Sequence, residues 1–183
     1  IQKTNLDSLR SNIGYVPQEV FLFSDTIANN ISFGLKETEI NNEIIEQAAK
    51  DAAIYGNIME FKDRFETMIG ERGITLSGGQ KQRVSIARAI IRNPKILVFD
   101  DCLSAVDTET EDEILRNLKR IMKNRSSVII SHRVSSVKHA DKIVVLHHGE
   151  VVEEGSHLNL LDKKGYYYDI YRKQLLEDEK ISQ

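Results

Sequence analysis

Ile96-Leu97-Val98-Phe99-Asp100-Asp101 is a run of four apolar residues that ends in two adjacent carboxylates. A continuous apolar run of this length is typical of a strand buried on both faces in a parallel sheet. Open α/β sheets place their ligand sites at the carboxyl ends of the strands. The sequence therefore predicts a functional edge at Asp100 and Asp101.

The segments on either side of this strand alternate between helical and extended patterns. Upstream, residues 1–34 indicate strand and loop, 36–62 a helical insertion, and Ser77-Gly78-Gly79 the start of a helix that Asn93-Pro94 stops. Downstream, Thr108 and Glu111 have capping-box spacing at the start of a helix that runs to 123. The remaining predicted elements are strands at 127–131, 142–146 and 150–153, a turn at 148–149, and helices at 134–139, 157–163 and 166–176. This order predicts an α/β layer with parallel strands and right-handed crossovers.

Length and composition limit the class of protein. The 183 residues suffice for one ordinary domain with a hydrophobic core, with or without a small subdomain, and exclude two large domains. With 40% hydrophobic residues the chain is not a disordered tail, and no apolar run approaches the ~18 residues of a transmembrane helix. The net charge of −3 gives no basic field for nucleic-acid binding. The single cysteine, Cys102, has no partner for an internal disulfide and fits a reducing, cytosolic setting.

Leu76-Ser77-Gly78-Gly79-Gln80 places two glycines in the first turn of a helix, where each costs roughly 1 kcal/mol relative to alanine. Exposed backbone N–H groups and a serine hydroxyl at a helix N-terminus suit a phosphate group. A plain N-cap serine is the alternative interpretation.

Asp100, at the end of a strand, is well placed to hold Mg²⁺ through water, and Asp101 is well placed to orient a nucleophilic water. Paired aspartates also cap loops, which is the structural alternative. The next strand ends in Ser131-His132, which would bring an imidazole to the same edge of the sheet. A lone histidine there is more often incidental, but strands so close in sequence favour convergence.

Together these motifs resemble those of ATP-binding-cassette (ABC) proteins. Residues 76–80 are similar to the family's signature motif, 96–101 to its Walker B strand and 104–107 to its D-loop. Gln18 lies where the family has its Q-loop glutamine, which senses Mg²⁺, and His132 matches the switch histidine. The resemblance implies ATP and Mg²⁺ as cofactors. The implied catalytic residues are Asp101, His132 and Gln18, those at the metal are Asp100 and Gln18, and those at the nucleotide are Ser77, Gly78, Gly79, Gln80 and Asp107.

The fold that this resemblance implies is that of an ABC-type P-loop NTPase, with a RecA-like core, a mostly parallel sheet and an α-helical signature subdomain. Residues 1–34 would be a core segment with the Q-loop, 35–85 the helical subdomain ending in the signature motif, and 86–183 the core with Walker B, D-loop, switch histidine and C-terminal helices.

Two further stretches resemble the nucleotide-binding domains of ABC exporters. They are Phe21-Leu22-Phe23-Ser24-Asp25-Thr26-Ile27 and the X-loop-like Gly70-Glu71-Arg72-Gly73. Met68 stands where the family usually has an acidic residue. The implied partners are a second nucleotide-binding domain, bound head to tail, and a transmembrane domain that contacts the Q-loop and X-loop; no nucleic acid is implied. The implied location is the cytoplasmic face of the cell membrane.

The chain departs from the family in two ways. No Gly-x-x-x-x-Gly-Lys-Ser/Thr is present, because the glycine pair with the right spacing, Gly73 and Gly78, is followed by Gly79 rather than lysine. We therefore expect the P-loop and the N-terminal β-subdomain to be absent, this chain alone to be inactive, and 96–99 to lie beside the missing P-loop strand. Second, Asp101 replaces the usual glutamate base, which is typical of one half of an asymmetric pair.

Three functions follow from these observations. The first is the ATP-hydrolysing motor domain of an exporter, in which domain closure drives transport. The second is a non-catalytic dimerisation or regulatory module of a heterodimeric transporter. The third, a soluble ABC ATPase of DNA repair, is disfavoured because those proteins separate the two halves with long coiled coils, whereas Gln18 and Ser77 are only 59 positions apart here.

Overall fold

The computed structural model describes residues 5–70, 73–102 and 108–181. The chain folds into two compact units, Ile1–Ile130 and Ser131–Gln183. The first unit is a mixed α/β structure around a parallel sheet. Its strands are β1 (Ile13–Val16), β2 (Ile96–Asp100) and β3 (Ser126–Ile130), and its α-helices are α1 (Leu6–Ser11), α2 (Ile27–Ser32), α3 (Asn42–Asp51), α4 (Tyr55–Glu60), α5 (Gly78–Ile90) and α6 (Thr108–Met122).

The sheet has the order β1-β2-β3, and both pairings are parallel. The strand predicted at 96–99 is thus confirmed, but the expectation that it borders a missing strand is wrong. β2 is hydrogen-bonded on both sides, because it lies at the centre of the sheet, and β1 and β3 form the edges. We predicted that both faces of this strand are buried, but only one face is. Leu97 and Phe99 on that face are buried, whereas Ile96 and Val98 on the other face are half-buried.

The core of this unit forms between the sheet and its helices. Fully buried side chains come from β1, β2, α2, α5 and α6, among them Val16, Phe99, Ile31, Ile86 and Leu118. Gly14 lets α5 approach β1, because a Cβ there would lie 2.6 Å from the Ala89 carbonyl oxygen. Packing against α5 therefore requires glycine in β1.

Two helices interrupt the segment in which only strand and loop were expected. Asn5 caps α1 by accepting hydrogen bonds from the Asp7 and Ser8 amides, and Thr26 caps α2 by accepting one from the Asn29 amide. Both helices have six residues, too few for a clear apolar period. The insertion predicted at 36–62 is helical, but it divides into α3 and α4 where Ala53 adopts a φ of +55°.

The second unit contains an antiparallel hairpin and three helices. Its elements are α7 (Val134–Val137), β4 (Ile143–His147), β5 (Glu150–Gly155), α8 (His157–Lys163) and α9 (Tyr166–Ile181). The predicted turn at 148–149 is confirmed, and both of its residues have positive φ, as a tight two-residue hairpin requires. Val134, Ile143, Val145, Leu160 and Tyr167 form its core. Among the described helices, none has the length and apolar character needed to cross a membrane.

Candidate functional site

Asp100 and Asp101 lie at the carboxyl edge of the parallel sheet, where the sequence predicted them. Asp100 is the last residue of β2, and it pairs in register with Ile130, the last residue of β3. Asp101 leaves the strand with a φ of +43°, in the left-handed region, and its amide donates to the Ile130 carbonyl at 2.8 Å. The strained turn and this bond hold Asp101 at the strand end, with only 9% of its surface exposed.

Gln18 joins this edge from β1. It follows the end of that strand by two residues, and its Nε2 donates to Asp101 Oδ2 at 3.3 Å. The structure therefore brings Gln18, which the resemblance placed at the catalytic and metal site, to the same edge of the sheet as the two aspartates. Their roles in catalysis and metal binding stay predictions.

Tyr15 is a site residue that the sequence analysis missed. Its hydroxyl donates to Asp100 Oδ2 at 3.0 Å. This hydrogen bond raises the pKa of Tyr15, with smaller contributions from desolvation and from the charge of Asp100. The register pairs Tyr15 with Val98, two residues before Asp100, so both side chains point to the same face of the sheet. The alternation of side chains along a strand would have identified Tyr15 as a neighbour of Asp100, but only with the register of β1 against β2 in hand.

Cys102 follows the two aspartates and is almost fully buried. Burial raises the pKa of its thiol to about 12, and the charges of Asp101 and Asp100 act in the same direction. A neutral, buried thiol is a poor nucleophile. Cys102 is thus a packing residue beneath the site.

The signature segment begins α5, as predicted. Ser77 Oγ accepts from the Gln80 amide at 3.2 Å, and Gln80 Oε1 accepts from the Ser77 amide at 2.9 Å. This reciprocal capping box fixes the first turn of the helix, and Ser77 and Gly78 remain exposed. The N-cap interpretation is therefore correct, and it leaves the exposed turn compatible with a phosphate. Arg83, one turn further, donates to the Ala53 carbonyl at 2.6 Å and so ties α5 to the helical insertion.

The two exporter-like stretches are joined by backbone contacts, which run between residues 25–27 of the first stretch and residues 67–69, just before the second. Thr26 and Met68 form an antiparallel bridge, the Ile69 amide donates to the Asp25 carbonyl at 3.0 Å, and the Ile27 amide donates to the Thr67 carbonyl at 3.1 Å. Gly70 follows with a φ of +100°. The X-loop-like residues Glu71 and Arg72 lie outside the described residues.

An aromatic cluster lies on the segment that follows Gln18. The rings of Phe21 and Phe23 meet edge to face at 5.1 Å, and those of Phe23 and Phe33 lie 4.5 Å apart. Phe21 and Phe33 are 68% and 54% exposed. Arg88 of α5 holds the cluster from below, since it donates to the Phe21 carbonyl at 2.9 Å and to Asn30. We call Phe21, Phe23 and Phe33 the aromatic face.

His132 and Asp107 are the remaining predicted site residues. His132 belongs to the second unit, and its side chain is exposed. Its carbonyl oxygen accepts from Gln174 Nε2 of α9 at 2.7 Å, a contact that no sequence pattern indicated. The predicted convergence of His132 with Asp101 stays a prediction. Asp107 lies outside the described residues, as does the rest of the D-loop. The cap predicted at Thr108 and Glu111 depends on side chains that the structure does not describe.

Comparison with known proteins yields consistent relatives. The family model described as ABC transporter matches residues 1–104. An uncharacterised ABC transporter ATP-binding protein of Bacillus subtilis, YknU, is 51% identical over 98% of this chain and 30% of its own length. An ATP-dependent lipid A-core flippase of Legionella pneumophila (strain Paris) is 47% identical over 95% of this chain and 29% of its own length. This chain thus spans under a third of the length of these relatives.

A solved structure gives the same result. A bacterial Atm1-family ABC exporter with ATP bound matches 92% of this chain and 30% of its own chain, with 43% identity and a TM-score of 0.87. The order of the motifs, the edge formed by Gln18, Asp100 and Asp101, and these matches lead to one assignment. The chain belongs to the ABC transporter family.

Proposed function

We propose that this chain is part of the ATP-hydrolysing motor domain of an ABC exporter, which couples ATP-driven closure of two domains to transport across a membrane. The observation that carries the proposal is the joining of Gln18, Asp100 and Asp101 at the carboxyl edge of the sheet. The names of the relatives, which include an ATP-dependent flippase and an exporter with ATP bound, support it.

The oxygen atoms available for metal binding at this edge of the sheet fit Mg²⁺. Asp100, Asp101 and Gln18 supply carboxylate and amide oxygens, which are the ligands that this hard cation prefers. Asp100, with Gln18, would hold the ion through water, and the ion would neutralise charge on the phosphate groups. Tyr15 orients Asp100 by its hydrogen bond. Asp101 would orient the attacking water, and Gln18 fixes the Asp101 carboxylate.

The signature turn would serve a different nucleotide. An exposed helix start with Ser77 and Gly78 offers backbone N–H groups to a phosphate, and Gly79 and Gln80 complete the turn. In a head-to-tail pair this turn would contact ATP held by the partner domain's P-loop. The 183 residues contain no P-loop motif, so we expect this chain alone to hydrolyse no ATP.

The aromatic face is our candidate for the contact with a transmembrane domain at the cytoplasmic side of the membrane. Exposed aromatic rings are enriched in protein interfaces. The backbone bonds between 25–27 and 67–69 make the Q-loop side and the X-loop side one continuous surface. A partner that binds this surface would contact both segments at once.

Asp101 supports a second candidate function, a slow regulatory site in a heterodimeric transporter. Aspartate is one methylene shorter than glutamate, and Asp101 is already held by its backbone bond to Ile130 and by Gln18. A shorter, fixed carboxylate is poorly placed to reach a water that a glutamate would align. The chain would then contribute its signature turn to a competent site on its partner.

Substitution of Ser77 tests the motor-domain proposal in the full-length transporter. Ser77→Arg should abolish turnover at the partner's site, because the larger side chain fills the phosphate cradle, while ATP still binds at the P-loop on the same polypeptide. Thr38→Arg, at an exposed position of the helical insertion, is the matched control. ATPase activity of the Ser77→Arg transporter equal to that of the control would refute the assignment.

A further inference from the structure

We propose that Gln174, on the C-terminal helix α9, is a positioning residue that holds the segment bearing His132. The inference rests on the proposed role of His132 as the switch histidine. It concerns contacts within the second unit alone, between a helix that no motif identified and the loop that follows β3.

The amide group of Gln174 bonds to the backbone at His132 and at Val134, on the two sides of Arg133. Its Nε2 donates to the His132 carbonyl at 2.7 Å, and its Oε1 accepts from the Val134 amide at 2.8 Å. The Arg133 amide between them donates to Ser131 Oγ at 3.0 Å. Three hydrogen bonds thus fix four consecutive residues of the loop.

The bond to Val134 meets a need of the local fold. Val134 is the first residue of α7, whose N-terminal amides have no partner within the helix. Arg133 occupies the N-cap position and provides no side-chain cap. Gln174 Oε1 supplies that acceptor from a distant part of the chain. Without it the Val134 amide loses this acceptor, and the His132 carbonyl loses the donor that Gln174 supplies.

The helix that carries Gln174 is itself firmly anchored. Tyr167 is 3% exposed, its amide donates to Glu153 Oε2 at 2.8 Å, and its hydroxyl bonds to His157 Nδ1 at 2.8 Å. Tyr171 also packs against this core. Residues 167, 171 and 174 lie on one face of α9, at helical spacing. The amide is therefore presented by a fixed helix face rather than by a mobile side chain on the surface.

Glutamine is the side chain that fits this pair of contacts. It offers a donor and an acceptor on one planar group, whereas glutamate only accepts and methionine does neither well. The imidazole of His132 stays exposed while its backbone is held. Gln174 thus leaves the ring available for a ligand and restricts only its position.

The test compares Gln174→Glu, Gln174→Met and the control Lys173→Met in the full-length transporter. Lys173 is the exposed neighbour of Gln174 on α9, and its substitution leaves the contacts of the Gln174 side-chain amide intact. Displacement of a reacting group by about 1 Å costs on the order of 10²-fold in rate. We expect Gln174→Met to lower kcat by tenfold or more with the KM for ATP unchanged. The kcat of Gln174→Glu should lie between those of Gln174→Met and the native protein, and Lys173→Met should have the native kcat.

Hydrogen exchange at the Val134 amide provides a readout that does not depend on activity. This amide should exchange faster in Gln174→Met than in Lys173→Met, whereas Gln174→Glu, which keeps the acceptor, should retain protection. Equal exchange in Gln174→Met and Lys173→Met would overturn the inference.

His132→Ala separates this inference from the proposed function. If His132→Ala hydrolyses ATP normally, the switch role itself is wrong. If His132→Ala is inactive while Gln174→Met keeps the native kcat, the positioning role of Gln174 is wrong and the proposed function stands.

Discussion

Replacement of Arg88 should destabilise the first unit more than any exposed substitution on the same helix. The guanidinium donates from Nε to the Asn30 carbonyl at 2.7 Å, from Nη1 to the Phe21 carbonyl at 2.9 Å, and from Nη2 to Asn30 Oδ1 at 2.7 Å. Its Cζ lies 5.5 Å and 5.7 Å from the ring centres of Phe23 and Phe33. Partial burial lowers the pKa of Arg88, but a guanidinium keeps its charge in proteins.

The magnitude follows from these contacts. Hydrogen bonds to a charged group contribute about 1.5–3 kcal/mol each, and exposed cation–π contacts about 0.5–1 kcal/mol. The contributions are not additive, and the bond to Phe21 is exposed to solvent. We therefore expect Arg88→Met to lower the free energy of unfolding by about 3 kcal/mol. Arg88→Lys, which keeps the charge but loses the planar fork, should cost about 2 kcal/mol.

Urea denaturation of the 183-residue chain, followed by circular dichroism, measures this effect. With a slope near 2 kcal/mol per M, the Arg88→Met midpoint should fall by about 1.5 M. Arg92→Met is the matched control, because Arg92 is an exposed arginine four residues further along the chain, just past the end of α5. Its cost should stay within about 0.5 kcal/mol. Equal midpoints for the Arg88 and Arg92 variants would refute the stabilising role of the network.

Three further outcomes are expected. In the full-length complex with the partner's base disabled, Asp101→Glu should raise single-turnover hydrolysis by up to about 10²-fold, and equal rates would mean that Asp101 is a competent base. Because the pKa of Cys102 is about 12, its thiol should stay neutral at pH 8 and react with iodoacetamide far more slowly in the folded chain than in urea, whereas equal rates would contradict its burial. Val128 and Ile130 on the edge strand β3 are about half exposed, so the isolated chain should self-associate, less so with Val128→Lys; a native monomer in sedimentation equilibrium would contradict this.

The elements predicted best from the sequence are those whose signals are local. The apolar run at 96–99 is a strand, Ser77 caps α5, and the His148-Gly149 turn joins β4 to β5. Each of these depends on neighbours within a few residues, which a sequence displays directly. The short helices α1 and α2 were missed because six residues hold too little periodicity.

Strand order was harder to predict, because it depends on which segments pair across long separations. β2 pairs with β1 from more than 80 residues upstream and with β3 from downstream, and this central position was not expected. The same pairing decides the site. Tyr15 reaches Asp100 only because Tyr15 and Val98 are in register, so a side chain with no motif of its own becomes part of the carboxylate edge.

The contacts that the sequence could not indicate share one chemical feature. Gln174 donates to the carbonyl of His132 across 42 residues, and Arg88 donates to the carbonyl of Asn30 across 58. Every residue has a carbonyl oxygen, so the identity of the acceptor leaves no mark in the sequence. A motif records the groups that contact ligand, whereas the groups that hold those motifs in place through the backbone become visible only when the fold is known. Residues such as Gln174 and Arg88 are therefore where a structure adds most to the analysis of a family whose motifs are already evident.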